Sequence, residues 1–155
     1  MKKLLFLIVT ISLFSANLYA LEEGKWTFVK DDDYCYIGSM PTETDLPKNK
    51  KRGENYILVY KMKGNEDSVI QIEPGYSYDP SEDIIVKIDN ADYIFYTTEE
   101  SPDSAWTNED SKVIYAMKKG LDLNITGKSN RGTTTNDKYT LKGFTLAFNK
   151  LNQEC

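Results

Sequence analysis

Apolar and aromatic residues recur at every second position over short runs, and turn residues separate the runs. That period belongs to half-buried strands rather than helices. KWTFVK (25–30) sets Trp26 and Phe28 on one face. DYCYIGS (33–39) sets Tyr34 and Tyr36 on one face and Cys35 and Ile37 on the other, after the acidic turn Asp31–Asp33. ENYILVYKMK (54–63) is the strongest strand, with Tyr56, Leu58, Tyr60 and Met62 opposite Ile57 and Val59. GNED (64–67) turns it back into SVIQIEPG (68–75), its hairpin partner. IIVKID (84–89) and DYIFYTT (92–98) form a second hairpin around Asn90-Ala91. LDLNITGKS (121–129) points Leu121, Leu123 and Ile125 inward, and DKYTLKG (137–143) is a further strand. A short strand at Ala105-Trp106 follows the loop that begins at Glu99.

Two segments change period. Thr107 stands three residues before Asp110 as a capping-box-like helix start, and Val113, Ile114 and Met117 follow at helical spacing. Lys118 and Lys119 suit the end of the helix dipole, and Gly120 suits the position after it. Phe144, Ala147, Phe148 and Leu151 make one apolar stripe on a second helix, which delivers Cys155 to the body of the fold. The sum is roughly eight or nine short strands and two short helices. It predicts a mainly β domain, a β-sandwich or partly open barrel of short antiparallel strands.

The first residues read differently. MKKLLFLIVTISLFSANLYA has a basic start, an apolar stretch from Leu4 to Phe14 and a small residue at Ala20. This pattern reads as a secretory signal peptide over 1–20, with an uncleaved anchor as the alternative. The apolar stretch is too short to span a bilayer. Residues 21–155 are then one domain, with no stable membrane insertion after cleavage. An exported pair of cysteines, Cys35 and Cys155, is expected to form a disulfide; free thiols or a bond between molecules are the alternatives.

Charge and composition narrow the chemistry. The formal net charge is −5, and the leader removes two lysines and no acid. An acidic domain repels phosphate backbones, so no nucleic acid is expected as a partner. The chain contains 0 histidines. Ser-His-Asp and Cys-His catalysis in their usual forms, and histidine-based metal sites, are excluded. No catalytic residue, no metal and no cofactor is predicted. The acidic runs Asp31–Asp33 and Asp79–Asp83 read as solvated turns. Paired carboxylates of a hydrolase are marked by nothing in the sequence. The loop 41–53, with Lys48, Lys50, Lys51 and Arg52, reads as exposed, with docking of an acidic partner as the sharper option. Most of the eleven tyrosines sit at alternating strand positions, where cross-strand packing is the plainer role and sugar stacking the sharper one.

The stretch SNRGTTTNDKYTLKGFT (129–145) holds Arg131, one of two arginines. Flanked by strands, it is first a hairpin turn in which Gly132 takes positive φ. Its sharper reading is a small-anion or glycan contact made by Arg131, Thr133, Thr134 and Tyr139, since a guanidinium offers a planar fork of donors. It lacks the order of a phosphate loop.

The same stretch, with AMKKG upstream and Cys155 at its end, resembles the invasion-associated locus B (IalB) family of exported bacterial proteins. KDDDYCYI and KRGENYILVYK fit the same pattern, and the similarity covers essentially the mature chain. The resemblance implies a small periplasmic, secreted or envelope-associated β-rich protein of a family named for members linked to host-cell entry. It brings no catalytic mechanism. The expected role is binding, with an envelope protein or glycan as the unidentified partner and a hydrolase of envelope polymers as the alternative.

Overall fold

The computed structural model describes residues 21–155; the leader expected over 1–20 lies outside the described residues. The elements are β1 (Thr27–Lys30), β2 (Tyr34–Ser39), β3 (Glu43–Thr44), β4 (Tyr56–Met62), β5 (Val69–Glu73), β6 (Ile84–Ile88), β7 (Ala91–Phe95), α1 (Asp110–Lys119), β8 (Asp122–Lys128), β9 (Thr134–Thr140) and α2 (Phe144–Glu154). They build two antiparallel sheets, ordered β1-β2-β4-β5 and β3-β9-β8-β6-β7. The sandwich is therefore the architecture that forms. Isolated bridges from Ala105 to Ile72 and from Trp106 to Tyr96 tie the two sheets at one edge without closing a barrel.

Alternation decides which faces meet. Cys35 and Ile37 of β2, Ile57 and Val59 of β4, and Ile70 and Ile72 of β5 all point inward. They face Val86, Leu123, Ile125 and Tyr139 of the second sheet in one core. The apolar stripe of α2 joins that core, and Phe144 packs edge-on against Trp26 at 4.8 Å between ring centroids. The indole Nε1 donates to the Thr140 carbonyl at 3.0 Å. Cys35 and Cys155 form the expected disulfide, with Cα atoms 5.8 Å apart and a sequence separation of 120. A closed loop of that size removes about 5 kcal/mol of unfolded-state entropy in the chain-entropy model.

Three local expectations change. The first helix starts at Asp110, not at a Thr107 cap. Thr107 Oγ1 instead accepts from the Glu109 N–H and donates to the Ile94 carbonyl, a turn ahead of the helix. The Asp110 carboxylate accepts from the Ile70 N–H at 2.8 Å and so anchors the helix to β5. Gly120 has φ −79°, an extended conformation rather than a left-handed one. What it needs is space, since a Cβ there would lie 2.6 Å from Ile88 Cγ2 and 2.9 Å from Leu141 Cδ1. Leu121 points outward and is 76% exposed, because β8 begins only at Asp122, after the helix has turned.

Candidate functional site

Most of the segment 41–53 is exposed, as expected, but it is not a free loop. This segment is a strap laid along the edge of the second sheet. Its two-residue strand β3 pairs with β9, Glu43 against Lys138 and Thr44 against Asp137. Asp45 continues the attachment: its carboxylate accepts from the Asn136 N–H and from the Asn136 side-chain amide, each at 2.6 Å.

Arg52 closes the strap. Its guanidinium forms a bidentate pair with the Asp137 carboxylate, one arm at 2.8 Å, and also donates to Thr44 Oγ1 at 2.9 Å. Both side chains are buried, 7% and 6% exposed. Burial opposes the charge on Arg52, but hydrogen bonding and attraction from Asp137 hold its pKa above the ordinary value. Such a pair is costly to break from one side, because the remaining charge is left in a low-dielectric interior. Gly75, at φ +78°, lets the strap cross: the Gly53 N–H donates to its carbonyl at 2.8 Å, and a Cβ on Gly75 would collide with the Gly53 backbone.

The stretch 129–133 is the hairpin turn between β8 and β9. The Ser129 N–H donates to the Thr133 carbonyl and the Gly132 N–H to the Ser129 carbonyl, each at 2.8 Å, with Gly132 at φ +85°. The turn projects Arg131 into solvent.

Strap and hairpin enclose a cleft of about 970 Å³. Lys50, Lys51, Asn130, Arg131 and Thr133 line it together with Tyr76, Ser77, Glu73 and Asp103. Lys50 Nζ donates to Thr133 Oγ1 at 2.6 Å and joins the walls. Among the described residues, neither Lys50, Lys51 nor Arg131 pairs with a carboxylate. The two acids of the cleft are already engaged. Ser104 and Gln71 donate to Glu73, and Ser77 donates to Asp103. Tyr76 shares a hydrogen with Thr135 at 2.7 Å; desolvation raises its pKa despite that bond.

Of the four residues grouped by sequence, Arg131 and Thr133 line the cleft. Thr134 is exposed at the start of β9 but does not line it. Tyr139 is 1% exposed and belongs to the core, so no surface ligand touches it. Burial pushes its phenol far up, as it does that of Tyr78, whose hydroxyl has no partner among the described residues. Sequence reasoning missed Lys50 and Lys51 as cleft residues and Asp137 as the buried anchor. Asp137 shares its inward register with Thr135 and Tyr139, and an inward acid demands a cation. That was the available signal.

The acidic turns remain turns: Asp79 accepts from the Ser81 N–H and hydroxyl, and Asp31 accepts from the Asp32 N–H. Among the described residues, no cluster of three or more acidic or cysteine side chains is placed to hold a metal. No described helix is long and apolar enough to cross a membrane.

A family model described as "Invasion associated locus B (IalB) protein" matches residues 27–152. The crystal structure of invasion associated protein B from Bartonella henselae is similar in fold, with a TM-score of 0.52 at 15% identity. The similarity covers 81% of this chain and 95% of that one. A comparison with curated proteins finds no match.

Proposed function

The chain belongs to the invasion associated locus B family, and we propose that it is an exported, envelope-associated binding module whose cleft takes the anionic group of an envelope glycan. The observation that carries this reading is the trio Lys50, Lys51 and Arg131. Three cations without carboxylate partners among the described residues stand together on a chain of net charge −5. A local positive field on an acidic body concentrates anions at one place. Arg131 supplies a planar fork for a carboxylate or sulfate. Asn130, Thr133 and Ser77 supply the amide and hydroxyls that a sugar needs, and Tyr76 adds a flat surface. The leader at 1–20 supports export, and an oxidising compartment preserves a disulfide such as Cys35–Cys155.

Calorimetric titration with trigalacturonate tests the reading. Wild type should bind the acid and not its neutral methyl ester, and Arg131→Ala should lose at least about tenfold in affinity. Equal affinity of the two proteins, or equal binding of acid and ester, would remove the cleft as an anion site.

One observation favours a second reading, hydrolysis of an envelope polymer. Glu73 and Asp103 both line the cleft, and a glycosidase requires two carboxylates across its substrate. Wild type would then release reducing ends from peptidoglycan, and Glu73→Gln would not. Absence of release by wild type ends that reading.

A further inference from the structure

The cleft holds both signs of charge, and they do not neutralise each other. Lys50 and Lys51 hang from the strap and Arg131 from the hairpin tip, while Glu73 and Asp103 border the same space. Among the described residues, none of these five side chains forms an ion pair. The cations provide for an anionic group. The two carboxylates are left without a cation.

One fixed part of the fold carries both acids. Glu73 ends β5. Asp103 and Ser104 lead into Ala105, whose N–H and carbonyl exchange bonds with Ile72 of β5 at 2.9 and 3.0 Å. Ser104 Oγ donates to Glu73 Oε1, and the Gln71 side-chain amide donates to the same oxygen at 2.6 Å. Ser77 Oγ donates to Asp103 Oδ1. These donors are neutral, so they hold the carboxylates in place without cancelling their charge. Among the described residues, Glu73 Oε2 and Asp103 Oδ2 accept no hydrogen bond. Glu73 is half-buried and Asp103 is exposed, which makes Glu73 the inner acid of the cleft and Asp103 the outer one.

The arrangement selects among ligands by repulsion as well as attraction. A purely anionic ligand meets Glu73 and Asp103. A purely cationic one meets Lys50, Lys51 and Arg131. A ligand with an acid and an ammonium complements both ends. We propose that the cleft selects a zwitterionic glycan segment, an acidic sugar beside a hexosamine with a free amino group, and that Glu73 and Asp103 receive the ammonium. This rests on the reading of the cleft as a glycan anion site and narrows it.

The probes are a glucuronyl-glucosamine disaccharide with a free amine and its N-acetylated form, which keeps the acid and loses the cation. Both are titrated calorimetrically at about pH 6, where such an amine is protonated. Wild type should bind the free amine about tenfold more tightly than the N-acetylated form. Glu73→Gln should bring that ratio close to one. Asp103→Asn, at an exposed position, should lower it about threefold and covers the case in which Glu73→Gln does not fold. Equal affinity of wild type for the two disaccharides overturns the inference, and the anion reading survives alone if Arg131→Ala still weakens the N-acetylated form. Binding of neither disaccharide overturns both. A ratio unchanged in the folded acid variants places the ammonium elsewhere and also overturns the inference.

Discussion

The two arginines of this chain line the same cleft from opposite walls and do opposite things. Arg52 is buried, holds Asp137 with two arms, and ties the strap to the sheet. Arg131 stands at a hairpin tip with no carboxylate partner among the described residues. The difference lies in their neighbours, not in the side chain. Asp137 points inward on β9 and must be neutralised by a cation, so Arg52 is spent on architecture. Arg131 sits in the tight turn and pairs with no carboxylate among the described residues, so its fork is available to a ligand. The architectural arginine positions the available one, because the strap that Arg52 anchors carries Lys50 to Thr133 on the hairpin.

Substitutions can break this contrast, beginning with the largest effect. Arg52→Ala leaves Asp137 charged and buried, and should cost roughly 3–5 kcal/mol in denaturant unfolding. Arg52→Lys keeps the charge but loses the fork, and should cost about 1.5–3 kcal/mol. Arg52→Met with Asp137→Leu removes both charges, and should return to within about 1 kcal/mol of wild type if the pair stabilises no better than apolar packing. A double variant as unstable as Arg52→Ala would show that the strap needs the ion pair itself.

The pH dependence sharpens the same contrast at smaller scale. Burial would raise the pKa of Asp45, but hydrogen bonds from Asn136 and the charge of Arg52 hold it below 3.8. The stability it contributes is therefore complete above pH 3.8 and is lost as pH falls through the lower, folded value. Amide exchange at Asn136 should accelerate in that acid window in wild type, and less so in Asp45→Asn. The smallest effect on stability belongs to Arg131→Ala, expected within about 0.5 kcal/mol of wild type. Its loss should register in binding alone.

How much of this was legible depended on where the information lay. The alternation of β2, β4 and β8 and the stripe on α2 are local, and local period gives face and element type. The expectation of export pointed to the disulfide. The hairpin at Arg131-Gly132 was legible because Gly132 lies between two alternating runs. The strap was not. β3 has no apolar period, because an exposed edge pairing uses backbone groups and leaves polar side chains in solvent. Arg52 and Asp137 lie 85 residues apart, and only the fold brings them together. Tyr139 was placed with the loop by sequence proximity, but the two-residue period of β9 returns it to the core. Leu121 was misread for the converse reason, since the strand period was extended past the point where β8 starts.

The most direct test of the cleft is a chemical-shift map of isotopically labelled protein titrated with trigalacturonate. The account predicts the largest shifts at Lys50, Asn130, Arg131 and Thr133, with the tyrosines of β2 and β4 unmoved. Shifts centred on those tyrosines, or none at the hairpin, would contradict it.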